Sequence, residues 1–273
     1  MDAATIIKRI RVLSGVTRKE LAELAGVAPS TIGRVEQGTL DPTWGTLSHI
    51  LEATGHQING DTVVSAGDPS GIAAARPVLE KHLALRSAAE GSPTAPCAAA
   101  ANSQITEAVS RWLGRWGRVG WLSDRTDVDD LVCVAVSAGN AGKIARRSVL
   151  QRTVVADGGW RSLARRLDEA GFAYAISGLV ATRRDRASAT AVRPVIYVDS
   201  PPLAVAKLDL EETGSGRGVL LISPVGDELE RTETEGGIRF VSRAQGVLDA
   251  FAGAGREPDK AEDALRSLLS VTA

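Results

Sequence analysis

Residues 17–55 read TRKELAELAGVAPSTIGRVEQGTLDPTWGTLSHILEATG, and the punctuation of this stretch divides it into short helices. Thr17-Arg18-Lys19-Glu20 has the form of a capping box, in which the Thr hydroxyl takes the Glu20 amide while the Glu20 carboxylate reaches back. The helix it starts, Arg18–Ala25, sets Leu21, Ala22 and Leu24 on its apolar side. Gly26 follows where a left-handed residue is expected to end the helix. Val27 and Ala28 then bridge to Pro29-Ser30-Thr31, which open the next helix. Upstream, Thr5–Ser14 places Ile6, Ile7, Ile10 and Leu13 on one face, and Gly15 ends that helix. Two short helices joined by a tight glycine-centred turn predict a helix-turn-helix.

The same run resembles the phage-repressor or XRE family of helix-turn-helix domains. The matching positions are Leu21-Ala22, Gly26-Val27, Ser30, Ile32, Glu36, Gly38, Pro42 and Thr43, then Leu47 and Leu51. The resemblance implies double-stranded operator DNA as partner, with the second helix of the pair in the major groove and its first turn at the base edges. On this chain those positions are Pro29, Ser30, Thr31 and Arg34. Arg34 is the candidate for direct readout, because a guanidinium matches O6 and N7 of guanine bidentately. Ser30 and Thr31 can hydrogen-bond base or phosphate. Pro29 stands where family members often carry a polar residue. Arg18 and Lys19 fall where the family contacts the phosphate backbone, which positions a domain without reading sequence. Ile32, Val35, Leu21 and Leu47 are core residues under any reading, and Glu36 is expected to cap or pair inside the domain. A unit this small makes few phosphate contacts, so a homodimer on an inverted repeat is expected.

The whole chain has 273 residues, a net charge of −1 and 44% hydrophobic residues, which suits a soluble protein of two domains. No apolar run is long enough to span a bilayer, and the N-terminus lacks a signal-peptide core, so no membrane partner and a cytoplasmic location are expected. Charge is unevenly placed: residues 101–200 carry 15 Lys/Arg against 10 Asp/Glu, whereas residues 201–273 carry 8 against 13. Either this is compositional drift, or the middle of the chain presents a basic surface. Cys97 and Cys133 show no CxxC spacing, and His49, His56 and His82 are too few and scattered for a metal site. Neither a metal nor a cofactor is expected.

Three zones follow: a helix-turn-helix domain over 1–57, a helix with an Ala/Ser/Pro-rich linker over 58–102, and a larger domain over 103–273. The linker is Ser87–Asn102, and a helix is predicted near Ile72–Leu85. In the third zone, helices are predicted at Gln104–Trp116, Trp160–Ala170, Arg243–Phe251 and Asp259–Leu269. Strands are predicted at Ala173–Ile176, Val195–Val198, Val219–Ile222 and Ile238–Val241, and Gly214–Gly218 is a turn into the third of them. The fold class is therefore an all-α helix-turn-helix domain followed by a larger α+β or α/β domain.

The third zone has its own resemblance, carried by Tyr174-Ala175 with Ser177-Gly178, by Pro194 with Tyr197-Val198-Asp199, and by Val219, Leu221 and Pro224. It resembles AbiEi-type antitoxins of type IV toxin–antitoxin systems. That resemblance implies autorepression of an operon and a nucleotidyltransferase-like toxin as partner. The XRE-like unit then replaces the more usual winged helix, and Gln104–Arg152 is either a degenerate winged helix or part of the second core.

Nucleotidyl transfer needs two or three carboxylates converging on a divalent cation. Asp199 stands alone at a strand end, where capping of the helix from Pro201 is the better reading. Asp127, Asp129 and Asp130 precede the apolar run Leu131–Val136 and read as a helix start. Ser137–Lys143 resembles a phosphate loop but has Ser137 for the first glycine and Ile144 for the metal-binding hydroxyl, so a turn or loop is expected. Trp112 and Trp116 share a helix face near Arg111, Arg115 and Arg118; core packing, with Trp121, is the default, and an aromatic and basic partner surface is the alternative. The expected protein is a non-enzymatic regulator. Two other readings stay open: a repressor with a ligand-sensing second domain, and a degenerate nucleotidyltransferase fused to a DNA-binding unit.

Overall fold

A computed structural model of the chain describes residues 2–89, 107–183, 193–214 and 218–270. The chain divides into two compact units, Met1–Arg146 with Leu269–Ala273, and Arg147–Leu268. The division at 146/147 differs from the 102/103 boundary expected from composition. Most of the expected linker, the start Gln104–Thr106 of one helix, and Ser215–Arg217 of the expected turn lie outside the described residues.

The first unit opens with α1 (Ala3–Ser14), α2 (Arg18–Ala25), α3 (Pro29–Glu36) and α4 (Trp44–Ala53). Local chemistry sets each boundary. The Asp2 carboxylate accepts the Thr5 amide at 2.7 Å and starts α1, and Gly15 ends it in the left-handed region. The capping box of α2 is present in both directions, Glu20 N–H to Thr17 Oγ1 at 3.2 Å and Thr17 N–H to Glu20 Oε2 at 2.7 Å. Gly26, with φ of 64°, lets the chain turn from α2 into α3 without the steric cost a Cβ carries there. Ile6, Ile7 and Ile10 are buried as expected, together with Leu21, Leu24, Ile32, Val35, Leu47, Ile50 and Leu51. Leu13 departs from the expected burial and is 52% exposed.

Beyond α4 the polar stretch folds as a hairpin, β1 (His56–Asn59) with β2 (Thr62–Ser65), antiparallel with His56 opposite Ser65. Helices α5 (Pro69–Ala89), α6 (Glu107–Val119) and α7 (Val128–Ala141) follow, and α8 (Ile144–Arg147) is one short turn at the division. Asp127 caps α7 in a second capping box, with the Asp130 amide at 2.9 Å from its carboxylate, so the acidic cluster is the helix start it was read as. Ser137–Ala141, expected as a turn, forms instead the last turns of α7, which ends at Gly142. The glycine-rich string is helical because Ala138, Gly139 and Ala141 are buried, where small residues let other helices approach. α5 packs on α6 and α7, and α6 packs on α2, so these helices complete the core of the first unit. Trp112, Trp116 and Trp121 are all buried in it, which settles them as core.

The second unit is α+β. Its six-stranded mixed sheet has the order β3-β6-β5-β4-β8-β7, where β3 is Gln151–Val154, β4 Tyr174–Ser177, β5 Val195–Val198, β6 Val219–Ile222, β7 Thr232–Glu235 and β8 Ile238–Val241. β5 runs parallel to β6 and antiparallel to β4, with Ile176 opposite Ile196 and Ile196 opposite Leu221. Every residue of β4, β5 and β6 is buried, as expected for strands covered on both faces. The helices of this unit are α9 (Gly159–Glu169), α10 (Leu179–Thr182), α11 (Pro201–Lys207), α12 (Arg243–Phe251) and α13 (Glu257–Ser270) up to Leu268. α9 and α12 pack on β4, and α10 packs on α12. The carboxylate of Asp199 accepts its neighbour's amide, Ser200 N–H at 2.9 Å, and does not cap α11, whose N-cap residue is Ser200. Among the described residues no helix is long and apolar enough to cross a membrane.

Candidate nucleic-acid interface

α3 presents two faces with different chemistry. Ile32 and Val35 are fully buried and fix the helix to α1 and α2. Pro29, Ser30 and Arg34 are exposed and Thr31 is half-buried, so the polar residues of the first turns share the outward side. The Ser30 and Thr31 hydroxyls and the Arg34 guanidinium form no side-chain hydrogen bond or ion pair with any described residue. Ala28 occupies the N-cap and has no side chain to offer, so the first N–H groups of α3 lack a side-chain cap. A helix start of this kind, with no acidic residue in its first turn, attracts phosphate. The far end is closed tightly: the Arg34 carbonyl accepts Thr39 N–H at 2.9 Å and Thr39 Oγ1 at 3.1 Å. Pro29 supplies no N–H donor, but its ring presets φ at the position where a helix start tolerates it.

Arg18 and Lys19 lie in the first turn of α2 and are both exposed. Lys19 makes only a surface pair with Glu23 at 3.7 Å, weak enough to exchange for a phosphate. Arg18 is more constrained. Its Nε donates to Glu36, whose carboxylate is wholly buried and also accepts Arg11 Nε at 2.8 Å, while the Arg18 side chain stays 54% exposed. Burial penalises the Glu36 charge, but the hydrogen bonds from Arg11 and Arg18 outweigh it and hold the carboxyl below the usual glutamate range. Glu36 therefore pairs inside the domain, as the sequence suggests, and ties the ends of α1, α2 and α3 together. Arg11 is the partner that the sequence reading missed, since nothing local marks a contact 25 residues away.

Two further arginines hold this unit together from α6. Arg118 donates from Nε to the Glu23 carbonyl at 3.1 Å and from Nη2 to the Leu24 carbonyl at 2.9 Å, closing the C-terminal end of α2. Arg115 donates from Nη1 to the Glu52 carbonyl at 3.0 Å, near the end of α4, and stacks on Trp112 with 4.8 Å from guanidinium carbon to ring centre. Cations at helix C-termini satisfy orphan carbonyls and oppose the helix dipole. Arg115 and the tryptophans of α6 are thus committed to the unit's interior, whereas Arg118 is exposed and tied to the end of α2.

Of the catalytic patterns that the sequence raised, only Asp199 falls in the second unit. Among the described residues, the most polar interior feature of that unit is Arg147, whose Nη1 donates to Asp249 and to Tyr197 Oη at 2.8 Å. Asp249 also accepts Ser177 Oγ at 2.5 Å and Gln245 Nε2 at 3.0 Å. Arg147 and Asp249 have no exposed side-chain surface. Burial works against the charge of Arg147, but Tyr197 and Asp249 more than offset it and the guanidinium stays protonated. Asp199 is exposed at the end of β5 and belongs to no such cluster. Among the described residues, no group of three or more His, Cys, Asp or Glu side chains is placed to hold a metal ion.

These geometries put the N-terminal helices in the helix-turn-helix class, the domain type with which transcriptional regulators bind DNA. Comparison with known families agrees: residues 7–55 match the helix-turn-helix family model. No curated protein and no solved structure matches the chain.

Proposed function

We propose that the chain is a transcriptional regulator that binds operator DNA as a homodimer and carries no enzymatic activity of its own. The observation that supports it best is the outward side of the first two turns of α3, where no side chain caps the helix start and the Ser30, Thr31 and Arg34 side chains are uncommitted, on a helix whose other face is rigidly packed. In this reading α3 enters the major groove, Arg34 reads guanine, Ser30 and Thr31 contact base or phosphate, and Pro29 supplies shape without a donor. Lys19 and Arg18 grip the backbone at the start of α2. A single such helix covers one half-site, and dimerisation raises affinity and fixes half-site spacing.

The finer part of the proposal is that Arg147–Leu268 is an antitoxin domain of the AbiEi type that counters a nucleotidyltransferase-like toxin. Its support is the set of motifs around Tyr174, Tyr197 and Leu221. Those residues are buried strand positions, so the motifs speak for a shared sheet more than for a shared surface. A second domain that senses a ligand remains the competing reading. The deciding experiment mixes labelled DNA from upstream of the gene with the full chain across a salt series. A steep loss of affinity with salt, and a large ratio of specific to nonspecific binding, is expected. Equal affinity for upstream and scrambled DNA defeats the proposal; a reading frame beside the gene that is toxic alone and silenced by this chain supports its antitoxin part.

A further inference from the structure

A pocket in the first unit lies between the end of α4, the strand-to-helix loop before α5, and α6. Glu52, Gly55, Ala66, Asp68, Ala108, Arg111, Trp112 and Arg115 line it. Arg111 and Arg115 are one helical turn apart and so project from the same side of α6. Arg115 is only 7% exposed, yet its hydrogen bond to the Glu52 carbonyl uses one of the five N–H donors of a guanidinium. Arg111 is exposed and has no acidic partner among the described residues.

Two carboxylates line the pocket as well, and neither forms an ion pair with Arg111 or Arg115. Asp68 is held by neutral donors: Oδ1 accepts Ser70 N–H at 2.9 Å and Ser70 Oγ at 2.5 Å, and Oδ2 accepts Nε1 of Trp112, on α6, at 2.9 Å. The Glu52 carboxylate is exposed and forms no ion pair with a described residue. Burial, and then the neighbouring charges of Arg111 and Arg118, bear against the charge on Arg115 more than Glu52 and Asp68 relieve it.

We propose that this pocket binds a small oxyanion, a carboxylate or phosphate group held in the fork between Arg111 and Arg115. Planar guanidinium groups match such oxyanions with paired hydrogen bonds. The Trp112–Asp68 bond fixes one wall of the pocket. The site is separate from the DNA-facing side of α3 and stands or falls without it.

The test is a titration of the full chain, labelled with nitrogen-15, with sodium acetate and separately with inorganic phosphate, at an ionic strength fixed by chloride. The Trp112 indole N–H resonance is expected to shift saturably with at least one anion, and the responding anion identifies the source. Arg111→Gln is expected to weaken that binding about tenfold or more, the loss of a charge-assisted hydrogen bond. Arg115→Lys, which keeps the charge and loses the fork, is expected to weaken it as well. Arg125→Gln, an exposed arginine elsewhere in the unit, is expected to leave it unchanged. A response that never saturates with either anion, or one that Arg111→Gln and Arg125→Gln alter equally, overturns the site.

Discussion

Arg11 in α1 donates its Nε–H to Oε1 of Glu36 at the end of α3, at 2.8 Å, and this bond joins two helices 25 residues apart through a carboxylate with no solvent exposure. Arg18 completes the arrangement from α2. Replacing Glu36 by Ala leaves both guanidinium groups without their acceptor. The loss of a partner from a buried ion pair costs about 3–5 kcal/mol, and the exposure of Arg11 and Arg18 places the expected cost near the lower end. Chemical denaturation followed by helix circular dichroism measures it. Because the chain has two units, the transition assigned to the first unit should move while that of the second stays in place.

Arg34 makes the sharpest functional prediction. Arg34→Ala is expected to reduce discrimination between operator and a site altered at one guanine by about 1–3 kcal/mol, with little change in stability, since the side chain is exposed. Lys19→Ala is expected to lower affinity for every sequence alike and to reduce the salt slope by about one. Arg18→Ala differs from both, because the residue also binds Glu36: affinity and thermal stability should fall together. Competition binding at three salt concentrations separates these outcomes. An unchanged discrimination ratio in Arg34→Ala removes that residue from base readout.

What the sequence revealed and what it concealed follow one physical division. The Thr17–Glu20 capping box was legible because its groups lie three residues apart and close on themselves; Asp127, Asp129 and Asp130 were legible as a helix start, and their capping box was not. The central strands β5 and β6 were legible to the residue, because burial on both faces demands an unbroken apolar run. β3 and β7, at the two edges of the sheet, were not: QRTV and TETE are polar enough to read as loop. α7 was missed at its C-terminal end because SAGNAG carries turn residues, and only burial against other helices makes a helix of them. In the interface, the outward residues of α3 came from local pattern and a family resemblance. The ion pairs that hold α3 in place span 18 and 25 residues and have no local signature.

The Arg147–Asp249 pair predicts a different stability pattern in the second unit. Asp249→Ala strands a fully buried guanidinium beside Tyr197, and a cost of about 3–5 kcal/mol is expected. Arg147→Met combined with Asp249→Leu removes both charges and fills similar volume, so the double variant should be more stable than Asp249→Ala alone. Ser177 and Gln245 lose their acceptor in either case and limit the recovery. Calorimetry on the three proteins reads the order directly. A double variant no better than the single one means that the network is held by its hydrogen bonds and not by charge balance.

Gly55 tests whether the helices after the linker belong with the helix-turn-helix. Its φ is +73°, and a Cβ placed there falls 2.4 Å from the Cα of Ala141 at the end of α7. Backbone cannot yield as a flexible side chain can, so Gly55→Ala must push the α4–β1 corner away from α7. The combined strain and lost packing are expected to cost more than about 2 kcal/mol. Gly60→Ala is the control, since Gly60 has a similar φ of +62° and open space around it, leaving only the left-handed strain of about 1 kcal/mol. Hydrogen exchange should then show the amides of α7 losing protection in the Gly55 variant and keeping it in the Gly60 variant.

Acid should weaken the first unit in two separate steps. His56 is buried, with Nδ1 3.1 Å from Thr54 Oγ1, and burial pushes its pKa below the usual 6.5. The unfolded chain then takes up the proton first, so stability is full above about pH 6.5 and declines as pH falls through the lowered value. Glu36 acts in the same direction but lower: its pairing is intact above the usual 4.5 of a free glutamate and is lost as pH falls through its depressed pKa. His56→Gln should therefore flatten the loss that begins near neutrality and leave the more acidic one. Glu36→Gln should do the reverse, starting from a lower plateau because the amide cannot balance Arg11 and Arg18. Denaturation midpoints measured from pH 8 to pH 3 distinguish the two, and a single acid transition untouched by His56→Gln would mean that the imidazole reaches solvent before the unit opens.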